Sequence, residues 1–486
     1  MRQTTHGNFE GSGWWRSRMG HRIAGWGRRA GGRWGVMRKR HSKPNLRLVV
    51  FVVLLVLLVI SGIVYRRDAL RFAGREMDYH AQLPGRLTGE GELFRCDRSQ
   101  FRTDICNMRG DIRMYNRSIV LYSKDPTTAP GVQIVKPYTR KWEQSCMDTV
   151  HEVTLRSVPT ANGAVNPKPP ACDVKHKVPG VVFSNGGYTG NLYHEFHDGL
   201  IPLFITSQHL HREVVFIISE FHDWWLTKYI EVVQQLSKYE IVDLINDTRV
   251  HCFPEIEAGL HIHDELAIDP DRMPHHETIQ DFRAILNRGY TPNKELPSAP
   301  PLGVSKSPSL TIIVRNGTRR FLNLDGIVKT AEQLGFNVNL LIPDPTMELK
   351  HIFRLLNSSD VLLGVHGAAM THFLFMRPGT VFIQVVPLGT DWAARTYYGE
   401  PSIKLGLHYL PLTISPQESS LSEKYNLSDP ILRNPDEVLE RRGWWSMKEI
   451  FLEGQDVQPS LGRVRTVLNQ AMEKLRGSKV RHPIPR

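Results

Sequence analysis

Hydrophobic positions along the chain fall into three regimes. One long apolar run covers residues 48–64 and is unbroken from Leu48 to Ile60. Between residues 93 and 175 the apolar stretches are short, as at 118–122 and 132–135, and Pro and Gly interrupt them, a pattern that predicts strands. From Val181 onward, apolar runs alternate with segments whose apolar positions recur every three or four residues, which predicts a mainly parallel sheet covered by helices. The spacing predicts a strand at 214–218 followed by a helix over 225–236. The segment 292–308 carries five prolines and predicts a linker. Beyond it the pattern predicts strand 310–314, helix 324–334, strand 338–342, helix 347–356, strand 361–365, a helix through Thr371 and strand 381–386, which together make a Rossmann-like lobe.

Charge changes the picture at the N-terminus. The formal net charge is +12, but residues 1–47 carry 12 Lys and Arg against one acid, Glu10, so the remainder is close to neutral. A nucleic-acid-binding role for the folded part is thereby disfavoured, and the basic tail holds no recognition module. The 48–64 run approaches the length of about 20 residues that spans a bilayer. Tyr65, Arg66 and Arg67 follow it, where a cleaved signal peptide would have small residues. With Arg38, Lys39, Arg40 and Lys43 on its N-terminal side, the expectation is a type II signal anchor at 48–64, a cytoplasmic tail at 1–47 and a stem at 65–92. All five cysteines, Cys96, Cys106, Cys146, Cys172 and Cys252, lie beyond the span, as do sequons at Asn116, Asn246, Asn316, Asn357 and Asn426. Both features suit a lumenal compartment, and the odd cysteine count leaves one thiol over, with the pairing not legible.

Candidate chemistry clusters in a few blocks. Gly364, His366, Gly367, Ala368 and Ala369 mark the exit of the 361–365 strand. Ligands of open α/β sheets bind beyond the carboxyl ends of strands, where helix N-termini attract phosphate. His366 would donate to phosphate or ribose, although the same small residues also permit tight helix packing. The 310–314 strand runs into Arg315, Arg319 and Arg320. Their guanidinium forks match phosphate oxygens, or else make a solvated basic loop. Arg377, in Met376-Arg377-Pro378-Gly379, is a further cation or part of a turn. In the first half, Asn191, His194, Glu195, His197 and Asp198 follow a Gly-containing entry into a helix. His194 and Asp198, four apart, share a helix face and pair as a base with the carboxylate that orients it, or as a structural hydrogen bond. Asp269-Pro-Asp271 and His261-Ile-His263, the latter with strand-like alternation, have metal-like spacing, but neither supplies a full ligand set and no metal site is expected.

Residues 182–204, 315–323 and 361–387 together resemble glycosyltransferase family 61, over nearly all of the chain beyond the span. The runs 389–401 and 416–421 resemble its grass members that act on xylan, the arabinofuranosyl- and xylosyltransferases. The resemblance implies an α/β, GT-B-like fold of two Rossmann-like lobes, with acceptor on 93–300 and nucleotide sugar on 301–486. It implies an inverting Golgi enzyme of cell-wall biosynthesis that moves a pentose, arabinofuranose first and xylose as the alternative, from a UDP-sugar onto xylan. His194 with Asp198, and Glu195 beside them, are then the catalytic candidates. Arg315, Arg319, Arg320 and Arg377, with the 364–369 block, hold the nucleotide sugar, and Asn191, Trp392 and Tyr397 face the acceptor. No bound cofactor or metal is implied. His197 departs from the Asn often found in relatives and places a second imidazole beside Asp198. The alternative is a noncatalytic polysaccharide-binding scaffold within a complex of xylan-synthesis enzymes.

Overall fold

The computed structural model of the chain describes residues 93–123, 131–160, 168–291, 307–344 and 346–481. The expected anchor, its tail, the stem and residues 292–306 of the proline segment lie outside the described residues. Among the described residues no helix is long and apolar enough to cross a membrane. The protein is a mixed α/β structure built on two sheets.

The first sheet has ten strands in the order β4-β5-β3-β2-β10-β7-β8-β9, with β1 against β2 and β6 against β10. They are β1 (Leu93–Asp97), β2 (Ile105–Tyr115), β3 (Ser118–Ser123), β4 (Gly131–Val135), β5 (Val153–Pro159), β6 (Val174–Lys175), β7 (Gly180–Phe183), β8 (Val215–Ile218), β9 (Val242–Asp243) and β10 (His251–Ala258). Strands β10, β7, β8 and β9 run parallel, and β7 and β8 are buried at every position, as strands covered on both faces must be. The expected Rossmann-like first lobe is therefore only half realised, because β2 pairs antiparallel with β10 and with β3 and extends the sheet into a mixed one. The β2–β3 turn puts Asn116 and Arg117 at positive φ of 46° and 60°, the primed geometry that matches strand twist. Pro254 sits inside β10, where the register with β2 shifts between Phe253 and Glu255; a proline without an N–H is accommodated by that bulge.

The second sheet is wholly parallel, in the order β12-β11-β13-β14-β15. Its strands are β11 (Ser309–Ile313), β12 (Asn337–Leu341), β13 (Val361–Val365), β14 (Val381–Val386) and β15 (His408–Thr413), with helices Leu324–Gln333 and Leu349–Ser358 between them. These elements match the periodicity within one or two residues, except β15, which the sequence pattern did not predict. The expected helix through Thr371 is instead a tight 3₁₀ segment, Ala368–Phe375, and His261 and His263 lie outside any strand. A C-terminal helix, Leu461–Arg481, buries Val464, Val467, Leu468 and Ala471 along one stripe over the second sheet.

One apolar core joins the two sheets. Phe196 meets Phe282 at 6.3 Å and Phe375 at 5.9 Å, and Tyr290 meets Phe353 at 5.4 Å. Helix Ile279–Tyr290 opens with a Thr278–Asp281 capping box and carries the half-buried Arg283, which donates to the Met376 carbonyl and to Asn357 Oδ1, both at 2.5 Å. Disulfides link Cys96 to Cys106 across β1 and β2, and Cys172 to Cys252, leaving Cys146 as the buried free thiol.

Candidate active site

The first half of the site grows from the helical segment that follows β7. Asn191 caps it, its Oδ1 accepting from Tyr193 N–H at 3.0 Å, and the chain then passes through a π-helical turn, Glu195–Leu200. Such wide turns recur at functional sites because they re-aim side chains without ending the helix. His194 Nδ1 lies 2.7 Å from Asp198 Oδ2. An ionised carboxylate only accepts, so the tautomer that bonds to Asp198, the nearer partner, carries its proton on Nδ1 and leaves Nε2 its lone pair, while the Arg140 Nη2 contact favours the other tautomer. Arg140 Nε donates to both Asp198 oxygens at 3.0 Å, and Arg140 Nη2 lies 3.2 Å from His194 Nδ1, touching both members of the pair. Burial alone would raise the Asp198 carboxyl; His197, His194 and Arg140 outweigh it and hold it at about 2. The Tyr188 ring lies against the His194 ring, centroids 4.5 Å apart, and limits its rotation.

The neighbours of this pair play different parts. Glu195 is buried with one carboxylate oxygen accepting from Gly190 N–H and the other from Trp225 Nε1, both at 2.6 Å. It ties the entry loop to helix Asp223–Leu236, and its oxygens are occupied inside the fold. Burial raises it to about 7, against the pull of those two donors. His197 is enclosed: Leu266 N–H donates to Nδ1 at 3.3 Å, and Nε2 lies 3.1 Å from Glu265, 3.5 Å from Asp198 and 3.1 Å from Arg102 Nη1. Burial pushes His197 down to about 4 although both carboxylates pull it up, so this extra imidazole is a neutral internal brace.

The second half sits at the carboxyl ends of β11 and β13, as the motifs predicted. Gly367 has φ +146°, and a Cβ there would lie 2.6 Å from Arg315 Nη1, so the glycine makes room for a guanidinium. Arg315 Nε donates to the Thr318 carbonyl at 2.8 Å, while the buried Nε of Arg319 has no hydrogen-bond partner. Neither arginine is ion-paired with a carboxylate among the described residues. Burial lowers Arg315, and burial followed by Arg315 lowers Arg319 to about 10, leaving both charged at neutral pH. His366 is buried, and Gln384 Nε2 donates to its Nδ1 at 3.0 Å while Gln384 Oε1 accepts from Tyr409 Oη at 2.8 Å. His366 Nε2 is thus an N–H donor. Burial, then Arg319 and Arg315, push the ring down to about 3, so it is neutral.

Three expected nucleotide-side residues fall elsewhere. Arg320 is half exposed and ion-paired with Asp456 at 2.7 Å. Arg377 pairs at 3.2 Å with Asp360, which precedes β13, and so lies at the opposite end of the strand from His366. The missing Cβ of Gly364 leaves room for Met370, whose Sδ would be 2.6 Å away, so here packing is the reason for the glycine. Ala368 and Ala369 are half-buried at the start of the 3₁₀ segment beside Gly367. Asp269 simply caps a short turn, accepting from Asp271 N–H at 3.1 Å. Exposed Trp392 packs at 5.4 Å on Tyr397, which packs at 5.4 Å on Tyr193, beside His194.

Tyrosine 398 joins the halves, its ring 5.8 Å from Tyr193 and 5.4 Å from His366. Arg140, Arg102 and Glu265 are marked by no motif or spacing, whereas Tyr398 and Gln384 lie within the family-like runs 389–401 and 361–387 without being singled out. A paired imidazole and carboxylate on one side of Tyr398, with two guanidiniums that lack carboxylate partners among the described residues and a neutral N–H donor on the other, are groups suited to transfer from an anionic leaving group.

Comparison with known proteins agrees with that geometry. A family model described as Glycosyltransferase 61 matches residues 192–383, the interval holding both the His194–Asp198 pair and the His366 block. The protein is a glycosyltransferase, and with the relatives that follow it belongs to glycosyltransferase family 61. A xylan glycosyltransferase of Arabidopsis thaliana is 48% identical over 398 residues, covering 79% of this chain and 80% of that protein. A beta-1,2-xylosyltransferase of Oryza sativa subsp. japonica is 39% identical over 401 residues, covering 79% and 84%. An alpha-1,3-arabinosyltransferase of the same rice is 37% identical over 385 residues, covering 78% of this chain and 65% of that one.

Proposed function

We propose that this glycosyltransferase moves a pentosyl group from a UDP-sugar onto xylan with inversion at the anomeric carbon. The observation that carries the donor half is the pair of part-buried guanidiniums, Arg315 and Arg319, without carboxylate partners among the described residues and beside the His366 donor. Desolvated cations of this kind bind a diphosphate far better than a surface loop does. In the transfer, His194 Nε2 takes the proton of a xylan hydroxyl as that oxygen attacks the anomeric carbon. The bond to the UDP oxygen breaks on the opposite face, Arg315 and Arg319 balance the charge gathering on the diphosphate, and Asp198 balances the imidazolium. The arginines serve the role a metal would otherwise take, so the reading requires no bound ion.

The two-sheet architecture supports a GT-B-like arrangement, with acceptor on the first sheet's side and UDP on the second. Relatives named for arabinosyl and xylosyl transfer support a pentose; arabinofuranose is the first candidate and xylose the alternative. The two disulfides, the sequons and the apolar 48–64 run support a type II glycoprotein of the Golgi membrane working in the lumen. The test incubates the full-length protein in detergent with UDP-arabinofuranose or UDP-xylose and xylohexaose, and reads product mass and linkage. Transfer from one donor that is lost in His194→Ala and Arg315→Ala establishes donor and site together. Folded protein that binds UDP yet transfers neither pentose would overturn the proposal.

A further inference from the structure

We propose that Phe101 and Trp142 form an acceptor subsite that carries one pyranose ring of the xylan chain beside His194, an inference that rests on the xylan-directed reading above. The two rings are stacked, centroids 5.2 Å apart and 12° from parallel, and are 71% and 39% exposed. A phenylalanine that open holds nothing together inside the fold, and neither ring belongs to an apolar core. Both are nevertheless held in place. Lys141 N–H donates to the Arg102 carbonyl at 3.1 Å, Lys141 Nζ donates to the Arg98 carbonyl at 2.5 Å and pairs with Asp104 at 2.7 Å, and the Cys96–Cys106 disulfide closes the loop bearing Phe101. A platform already ordered before binding loses little conformational entropy when a ligand arrives.

Its position gives the platform its meaning. The guanidiniums of Arg102 and Arg140 lie 5.2 and 5.3 Å from the centroid of Trp142. Arg140 is the residue that also holds Asp198 and touches His194, so a single guanidinium separates the platform from the base. Tyr193, which meets the His194 ring edge-on at 5.2 Å, leads to Tyr397 and exposed Trp392, a second aromatic surface. A β-linked xylopyranose ring has equatorial substituents and no hydroxymethyl group, so both its faces present axial C–H bonds that lie flat on an aromatic ring. Polar side chains reading hydroxyls would fix one ring edge; stacked aromatics fix the ring plane and let a long chain slide into register, which suits a polymer acceptor.

The experiment measures kcat, the KM for each substrate, and xylohexaose affinity by titration with UDP present, on the full-length protein in detergent. The variants are Phe101→Ala, Trp142→Ala and Trp142→Phe. Phe101→Ala and Trp142→Ala are expected to weaken xylohexaose roughly tenfold, equivalent to about 1.4 kcal/mol, with the donor KM unchanged and Trp142→Phe retaining most of the affinity. Because Phe101 packs on nothing inside, its variant keeps the test clean should Trp142→Ala disturb Arg140. Unchanged xylohexaose affinity in Phe101→Ala while the wild type transfers pentose to xylan would overturn the subsite and spare the proposed function. Ring-dependent xylohexaose binding without transfer would do the reverse, and a wild type with no affinity for xylohexaose would overturn both.

Discussion

Replacing Asp198 by Asn removes one negative charge from the first half of the site while keeping its size. The carboxylate accepts from Arg140 twice at 3.0 Å, holds His194 Nδ1 at 2.7 Å and is buried. Its depression from 3.8 to about 2 corresponds to about 2 kcal/mol of stability, present above the ordinary carboxylate range and lost as pH falls through about 2. Taking away one partner of a buried ion pair costs about 3–5 kcal/mol, and since Asn preserves some hydrogen bonding the lower end is expected. On the reaction, the amide neither balances a charged imidazole nor favours the Nδ1–H tautomer, and loss of an oriented base lowers rates by about 100- to 10,000-fold. The assay compares pentosyl transfer to xylohexaose at pH 7, with urea unfolding and UDP titration on the same samples to show that the second sheet and its pocket are intact. A folded, UDP-binding Asp198→Asn protein with kcat within about threefold of wild type would refute the base assignment.

Gly367→Ala is expected to weaken UDP by more than about tenfold in titration, because a side chain there meets Arg315 Nη1 in a backbone region L residues avoid. Arg315→Ala or Arg319→Ala should each raise the UDP dissociation constant by about 10- to 100-fold, the range for lost hydrogen bonds to a charged group, whereas Arg320→Ala should leave it unchanged, since Arg320 is paired with Asp456 at the surface. Stability should fall on balance as pH drops from about 6.5 toward 4, because burial keeps His197 and His372 neutral down to about 4 and His366 to about 3 while the unfolded chain takes up those protons earlier, and buried Glu195, raised to about 7, offsets part of that slope by binding its proton earlier in the folded state; urea unfolding at pH 7, 6 and 5 checks this, with a shallower slope expected for His372→Gln. Peptide mapping should find Asn357 unmodified, as its side chain accepts from Arg283 between the two sheets, whereas Asn116 and Asn426 stand on exposed turns.

The parallel second sheet was legible because β11, β13 and β14 are short apolar runs followed by turn residues, the one-dimensional trace of burial on both faces. Strand β10 was not, since Pro254 and two glutamates break its pattern although it lies at the centre of the first sheet. The His194–Asp198 pair could be read from helical spacing and the Arg315 loop from its place after a strand. Arg140 could not: it reaches Asp198 from 58 positions away, and only the folded chain brings them together. Arg377 was misplaced although the pattern held the answer: it precedes β14, and in a parallel sheet that puts it at the amino ends of the strands, away from His366. The small residues at 364 and 367 looked alike, yet one makes room for a thioether and the other for a guanidinium.

The aromatic seam between the sheets bears on how such enzymes can be re-engineered. Phe196, on the turn that carries Asp198, touches Phe375, and Arg283 reaches across to the backbone at Met376. A chimera that exchanged the second sheet and its helices with those of a relative would cut through this seam and present Phe282, Tyr290 and Phe375 to unmatched neighbours. Donor preference is therefore better altered by grafting individual pocket residues than by swapping halves as cassettes.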